Sequence, residues 1–428
     1  MSSKSGIKLK IKKIDAIIVV ALIIIAGFVL FEVGYISPVQ DNTIENEPEI
    51  DDIEPTPPPP PTPPESITMG YMRSVSPEDE GVHFDKINIC REWWYFSAIF
   101  NENSDLSGWA VSISFNHMAR GDLIGTSKPD MLVITLHGPN GEEYGGIINK
   151  ERGLGIIKQP TLKANSPGVN VRYEDSWAEG ESPEWHVHVE DNEIDNNHEI
   201  IIDLTYFAPF EPIWTIGDKA FEISSSNLAS YVFTGCRVNG KVIIDNQEYL
   251  VNGTGHHEHS WSPNIVSRGL INGWDWSHII LDNGWNIYYS NYYPTPQFVS
   301  SLSSKINPYG SLILTTDEGK TITILDNINP EITKTNDEIF PFVKIPLEIN
   351  VNAKAGVSQP LLSTYNIEFN IKIKSENSYE KIWKFPTYIG MSVGRSTITG
   401  TISWTDNDGN HELDLNGIGT QWSMRALL

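Results

Sequence analysis

Apolar and polar positions alternate with period two over most of the chain beyond Ile67, the pattern of half-buried antiparallel strands. WWYFSAIF (Trp93–Phe100), WAVSISF (Trp109–Phe115), MLVITLHG (Met131–Gly138), WHVHV (Trp185–Val189) and EIIIDLTYF (Glu199–Phe207) are predicted strands. IPLEINV (Ile345–Val351), YNIEFNIKIK (Tyr365–Lys374) and STITGTISW (Ser396–Trp404) follow the same rule. Turn signals stand at Asn140-Gly141, Asn239-Gly240, Asn283-Gly284 and Asp406-Asn407-Asp408-Gly409. No stretch after residue 66 has the periodicity of a long amphipathic helix. Many short strands with regular turns predict an all-β protein of sandwiches or barrels. The β region is large for one such unit. Two tandem antiparallel β domains are therefore expected, 67–264 and 265–428, with the seam in the Pro/Asn/Ser/Gly-rich segment Ser262–Gly273.

The first 66 residues break this pattern. Residues 1–13 carry Lys4, Lys8, Lys10, Lys12 and Lys13 and no acid. AIIVVALIIIAGFVLF (Ala16–Phe31) is unbroken apolar sequence, and with its flanks, 14–36, it reaches the ~20 residues that span a bilayer as a helix. Glu32, Val33 and Tyr35 stand where a small-x-small cleavage site would lie, so an uncleaved single-pass anchor is expected. The lysines place the N-terminus in the cytoplasm and the rest of the chain outside the cell. Residues 37–66 form an acidic, proline-rich linker, with eight prolines between Pro55 and Pro64. Such a segment is a semi-rigid spacer.

The charge balance is strongly acidic, 30 basic against 55 acidic residues, which argues against a nucleic-acid partner. Two cysteines, Cys90 and Cys236, are too few for a disulfide scaffold; they pair or remain buried thiols. Asn252-Gly253-Thr254 is a glycosylation sequon.

Chemistry concentrates between Asn252 and Tyr293, which holds His256, His257, His259 and His278 beside Trp261, Trp274, Trp276 and Trp285. In extended chain His257, His259 and Trp261 line one face, and Glu258 and Ser260 the other. Trp274, Trp276 and His278 share a face; beyond the Asp282–Gly284 turn, Tyr288 and Tyr289 fall on opposite faces. An aromatic wall set with titratable groups suits an apolar ligand and can offer it a proton. His256, His257 and His259 cannot converge from one strand, and no HExxH spacing exists, so no metal or other cofactor is expected. In Arg91-Glu92-Trp93-Trp94-Tyr95-Phe96, Glu92 shares a face with Trp94 and Phe96, as a buried acid with a raised pKa or as a strand-end partner for an arginine.

The chain resembles the carotenoid 1,2-hydratase (hydroxyneurosporene synthase) and AttH-like family. Glu92-Trp93-Trp94-Tyr95, Gly255-x-x-x-His259-x-Trp261, and Trp274-x-Trp276 followed by Asp282-Asn283-Gly284 carry the resemblance, over roughly 92–428. It implies two lipocalin-like β-barrels in tandem and a site for an apolar, isoprenoid or lipid-like molecule. It further implies hydration by protonation of an isolated C=C, with water capturing the cation. By position, His259 and Trp261 would be the acid-region histidine and the cation-facing tryptophan, and Tyr288 the phenol. Glu92, Trp94, His257, Trp274, Trp276 and Tyr289 would line the ligand. This sequence departs from the family in carrying Glu258 where the family has aspartate and Ser262 where it has glycine. It also carries no aspartate on the strand after the turn, WNIYYSNYY.

The expected function is thus a membrane-anchored lipocalin-like protein that binds an apolar ligand. An active isoprenoid hydratase or cyclase and a surface structural or interaction module are the alternatives. A carboxylate, Glu92 or Glu258, in the pocket of His259 favours the enzyme. Absence of a cavity of ~300 Å³ between the tryptophans favours the structural module.

Overall fold

The computed structural model describes residues 67–68, 74–86, 90–117, 130–149, 161–191, 198–216, 229–263, 271–294, 310–324, 327–336, 343–355, 366–383, 388–406 and 408–427. The expected anchor at 14–36 and linker at 37–66 lie outside them. Among the described residues no helix is long and apolar enough to cross a membrane. The helix α1 (Pro77–Glu80) is a single turn closed by a Ser76–Asp79 capping box.

The alternating segments form strands β1 (Ile67–Thr68), β2 (Cys90–Phe100), β3 (Ala110–His117), β4 (Met131–His137), β5 (Glu143–Ile148), β6 (Leu162–Ala164), β7 (Val169–Tyr173), β8 (Ser176–Glu181), β9 (Glu184–Asp191), β10 (Ile200–Phe207), β11 (Ile213–Ile216), β12 (Ala229–Ile244) and β13 (Gln247–Pro263). They continue with β14 (Ile271–Leu281), β15 (Asn286–Pro294), β16 (Gly310–Thr315), β17 (Thr321–Ile324), β18 (Ile328–Asn336), β19 (Ile345–Ala355), β20 (Ile367–Trp383), β21 (Tyr388–Asp406) and β22 (Gly409–Leu427). One sheet runs β5-β4-β3-β2-β13-β12-β10-β9-β8-β7-β6, with β11 beside β12. The other runs β1-β17-β16-β15-β14-β22-β21-β20-β19-β18. Only β1 with β17 is a parallel pair among the described strands; it places Ile67–Thr68 in the second sheet. Both sheets lie in one compact unit, Pro60–Leu428.

Each sheet has its own apolar core, and a third apolar layer lies between them. Trp94, Phe96, Phe115, Trp185, Tyr206 and Tyr231 fill the first core. Ile279, Ile287, Tyr289, Leu314, Phe369 and Trp404 fill the second. Tyr95, Met131, Val232, Trp276, Tyr288, Met391 and Trp422 form the middle layer. A strand that is apolar on both faces is what a sheet with a core on one side and a partner sheet on the other requires. This explains why β2, β3 and β4 are buried almost throughout, whereas β7, β9 and β10 alternate cleanly.

One turn signal is overturned. Asn239-Gly240 lies inside β12, where Asn239 pairs with Asn252 and Gly240 with Val251. The β12–β13 hairpin turns instead at Asp245 and Asn246, both with positive φ (52° and 67°), as a two-residue primed turn needs. Gly240 is glycine because a Cβ there would stand 2.0 Å from the Asp203 carbonyl oxygen. Cys90 and Cys236 are buried and form no disulfide with each other.

Candidate functional site

β2 and β13 are neighbours in register: Glu92 faces Trp261, Trp94 faces His259, Tyr95 faces Glu258 and Phe96 faces His257. Their alternation sorts the side chains into two compartments. Trp94, Phe96 and Trp261 belong to the first core, with His257 stacked on Phe96 (4.2 Å) and His259 on Trp94 (4.7 Å). Trp93 and Tyr95 point the other way, towards the second sheet. From that sheet, Trp274, Trp276, Tyr288, Tyr292 and Trp422 reach back to meet them.

Between the sheets lies an apolar cleft lined by Arg91, Glu92, Trp93, Tyr95, Asn116, His117, Met131, Glu258, Trp274, Trp276, Met391 and Trp422. The walls lie close together and enclose about 30 Å³, far short of the ~300 Å³ of a ligand cavity, so a ligand enters only if the walls part. It is a slot rather than a chamber, and the unbranched side chains of Met131 and Met391 are the deformable parts of its wall.

Glu258 is the acid of this cleft, with 1% of its surface exposed. Its Oε1 accepts from Trp93 Nε1 at 3.1 Å and from Ser260 Oγ at 3.2 Å. Burial pushes its carboxyl up to about 7, against the lowering effect of Trp93, Ser260, Tyr288 and Trp276. Glu258 Oε2 lies 3.5 Å from His278 Nε2. Neither atom has a hydrogen-bond partner among the described residues, and neither has His256 Nε2. His278 Nδ1 meets Ser97 Oγ at 3.0 Å, and burial drives its pKa down to about 3, so the ring is neutral. The His256 ring lies 4.5 Å from that of His278 and is held neutral by burial. Trp276 Nε1 donates to the Tyr288 hydroxyl at 2.8 Å, and Trp93 meets Trp276 edge-on at 6.1 Å. A protonatable carboxyl facing neutral imidazole, inside aromatic walls, can deliver a proton to an apolar ligand and take one back from water.

A second polar cluster lies on the opposite face of the same strands. Glu92 Oε1 lies 2.9 Å from His259 Nε2 and 3.0 Å from His83 Nδ1. Glu92 Oε2 accepts from the backbone N–H of Phe84 at 2.7 Å and of His83 at 3.0 Å. Burial alone would raise the Glu92 pKa, but the hydrogen bonds from His259 and His83 prevail and hold it at about 2. His83 stacks flat on Trp261, 3.8 Å between centroids and 2° between planes. Nearby, Glu80 accepts from Trp185 Nε1 at 2.9 Å and from the Ser182 N–H at 2.9 Å, and burial raises its carboxyl to about 7.

The structure therefore distributes the sequence candidates over three compartments. His257, His259, Trp261 and Trp94 meet in the first core; Glu92, bonded to His259 there, also borders the cleft with Trp274 and Trp276, and Tyr288 stands behind Trp276 in the middle layer. Tyr289 packs in the second core. His256 faces the cleft while His257 and His259 face the core, so these three do not converge. Of the two readings left open for Glu92, the raised pKa does not hold: His83, from the segment after α1, and His259 bond to it and hold it low, and the raised carboxyl of the cleft is Glu258. His186 and His188, read as a solvated face, gather around Asp203 on the outer side of β9 and β10. Sequence reasoning passed over Trp93, Tyr95 and Trp422 as cleft residues and His83 as a partner of Glu92. Alternation had already set Trp93 and Tyr95 opposite Trp94; no periodic signal marks His83.

No protein-family model matches the chain, and no curated protein matches it. Solved structures do resemble it. Kievitone hydratase from Nectria haematococca aligns over 85% of this chain and 97% of its own, with a TM-score of 0.51 at 11% identity. CghA aligns over 85% of this chain and 94% of its own, with a TM-score of 0.50 at 12% identity. A protein assigned as AttH from Nitrosomonas europaea aligns over 85% of this chain and 98% of its own, with a TM-score of 0.48 at 14% identity. At these identities the likeness is one of fold: an all-β chain whose two sheets are consistent with tandem lipocalin-like domains.

Proposed function

We propose that the cleft between the sheets binds an apolar, unsaturated small molecule and that Glu258 protonates it, as in a hydratase or cyclase of isoprenoid type. The observation that carries this reading is a buried carboxyl, raised to about 7, among Trp93, Trp276 and Trp422. The name of the kievitone hydratase points the same way, although the likeness itself is of fold. In the forward step the Glu258 O–H bond breaks and its proton forms a C–H bond at the alkene. The cation left on the neighbouring carbon faces the indole rings, which stabilise positive charge. Water adds through its oxygen, and its surplus proton returns to the Glu258 carboxylate. His278, neutral and 3.5 Å from Glu258 Oε2, is placed to hold that water. Tyr288 supports the far wall through Trp276.

Ligand entry requires the walls to part, and the unbranched side chains of Met131 and Met391 are the parts of the wall that can give way. A further depression, around Glu174, Asp175, Glu190 and Asp191, is acidic and unsuited to an apolar guest. The unit would stand outside the cell on a proline-rich tether, anchored by residues 14–36; the apolar run and the lysines before it support this placement.

Uptake of a polyene probe by residues 60–428, followed by quenching of tryptophan fluorescence, tests the binding half. Quenching that is lost in Trp276→Ala is expected; no quenching at any probe concentration would move the protein to a structural role.

A further inference from the structure

The cluster on the core face of β2 and β13 has a proton-counting problem. His259 Nδ1 lies 3.0 Å from the carbonyl oxygen of Asp79, which can only accept, so Nδ1 must carry a proton. His259 Nε2 lies 2.9 Å from Glu92 Oε1, a carboxylate oxygen that also only accepts. A neutral imidazole has one N–H and cannot serve both. The contact is completed by a second ring proton, by a proton on Glu92, or by a cation between Nε2 and Oε1; the grouping of three donor atoms around one point favours the cation.

We propose that His83, Glu92 and His259 form a site for a divalent first-row metal ion, with His83 Nδ1, Glu92 Oε1 and His259 Nε2 as ligands. These three atoms lie within 4.8 Å of one another. Separations of 2.9 and 3.0 Å to the carboxylate oxygen, at metal–ligand distances of roughly 2.1 Å, subtend angles of about 90°. Each histidine nitrogen is thus cis to the carboxylate oxygen, as in a two-histidine, one-carboxylate ligand set.

The surroundings are those of a ligand set held in place. The His259 Nδ1–H points to a backbone carbonyl, as the free nitrogen of a metal-bound histidine commonly does, with the Tyr231 hydroxyl at 3.2 Å beside it. Glu92 is oriented by the N–H groups of His83 and Phe84. His83 and His259 are fixed by stacking on Trp261 and Trp94. His83 keeps 15% side-chain exposure, which gives an ion a way in. The site shares β13 with the cleft, and Glu92 borders both, but Glu258 is not among its ligands, so metal uptake and proton transfer by Glu258 are tested separately.

The test is Co²⁺ uptake by the full chain in detergent after dialysis against chelator, read by visible absorption and by the metal-dependent shift of the thermal transition. About one Co²⁺ per chain, with the weak bands of a five- or six-coordinate ion, is expected. His83→Ala and Glu92→Gln should each weaken uptake at least ~10-fold and abolish the thermal shift. Wild-type protein that takes up neither Co²⁺ nor Zn²⁺ would overturn the proposal whatever the variants do. Uptake unchanged in His83→Ala would overturn it as well. In both cases the cluster would be a hydrogen-bonded His–Glu–His set that ties the segment after α1 to the barrel.

Discussion

Glu258 and His259 are adjacent on β13, yet Glu258 accepts from Trp93 between the sheets while His259 meets Glu92 in the first core. One strand thus supplies an acid to one compartment and an imidazole to another. The two buried glutamates, Glu258 and Glu92, are shifted in opposite directions, and their titrations should be separable.

Glu258→Gln should lower turnover of an alkene substrate by ~10²–10⁴-fold, the usual contribution of a general acid, while the thermal transition stays or rises. A loss of activity accompanied by collapse of the transition would show a structural role instead.

The pH dependence of stability has a defined sign. The folded pKa of Glu258, about 7, lies above the ordinary carboxyl value of 4.5. Its contribution is fully present below about 4.5 and is lost as pH rises through about 7. The size is about 3 kcal/mol for a shift of this extent. Glu80, also raised to about 7, adds with the same sign. Denaturant unfolding at pH 5 and pH 8 should show wild type weaker at pH 8, with a smaller difference in Glu258→Gln.

Glu92 behaves oppositely. Held at about 2, it stabilises the fold above about 4.5 and loses that contribution as pH falls towards 2. Glu92→Ala, measured without metal, should cost about 3–5 kcal/mol at neutral pH because it strands buried partners. The deficit should shrink on acidification.

Trp93→Phe removes the Nε1 donor to Glu258 Oε1 and keeps most of the aromatic wall. Losing a donor to the carboxylate raises the pKa of Glu258 further. The limb of the pH–rate profile on which activity falls with rising pH should therefore move to higher pH.

Much of this was legible in the chain. Period two placed Glu258 opposite His257, His259 and Trp261, and placed Trp274, Trp276 and His278 on one face. What each face borders was not legible. That depends on β2 pairing with β13 and β14 with β22, contacts between residues far apart in sequence. Trp422 enters the cleft from the last strand for the same reason. The sign of the Glu92 shift was hidden because its donor His83 lies in an irregular segment, where alternation carries no information. The Asn239-Gly240 signal misled because a close approach to the Asp203 carbonyl and a turn both select glycine.

The most direct measurement is incubation of the protein with a linear isoprenoid polyene in D₂O enriched in H₂¹⁸O, followed by mass spectrometry of the extracted lipid. The proposed function requires a product with one carbon-bound deuterium and an ¹⁸O hydroxyl, formed by wild type and not by Glu258→Gln. Recovery of bound but unlabelled polyene from wild type would contradict proton transfer by Glu258 and leave the cleft as a binding site alone.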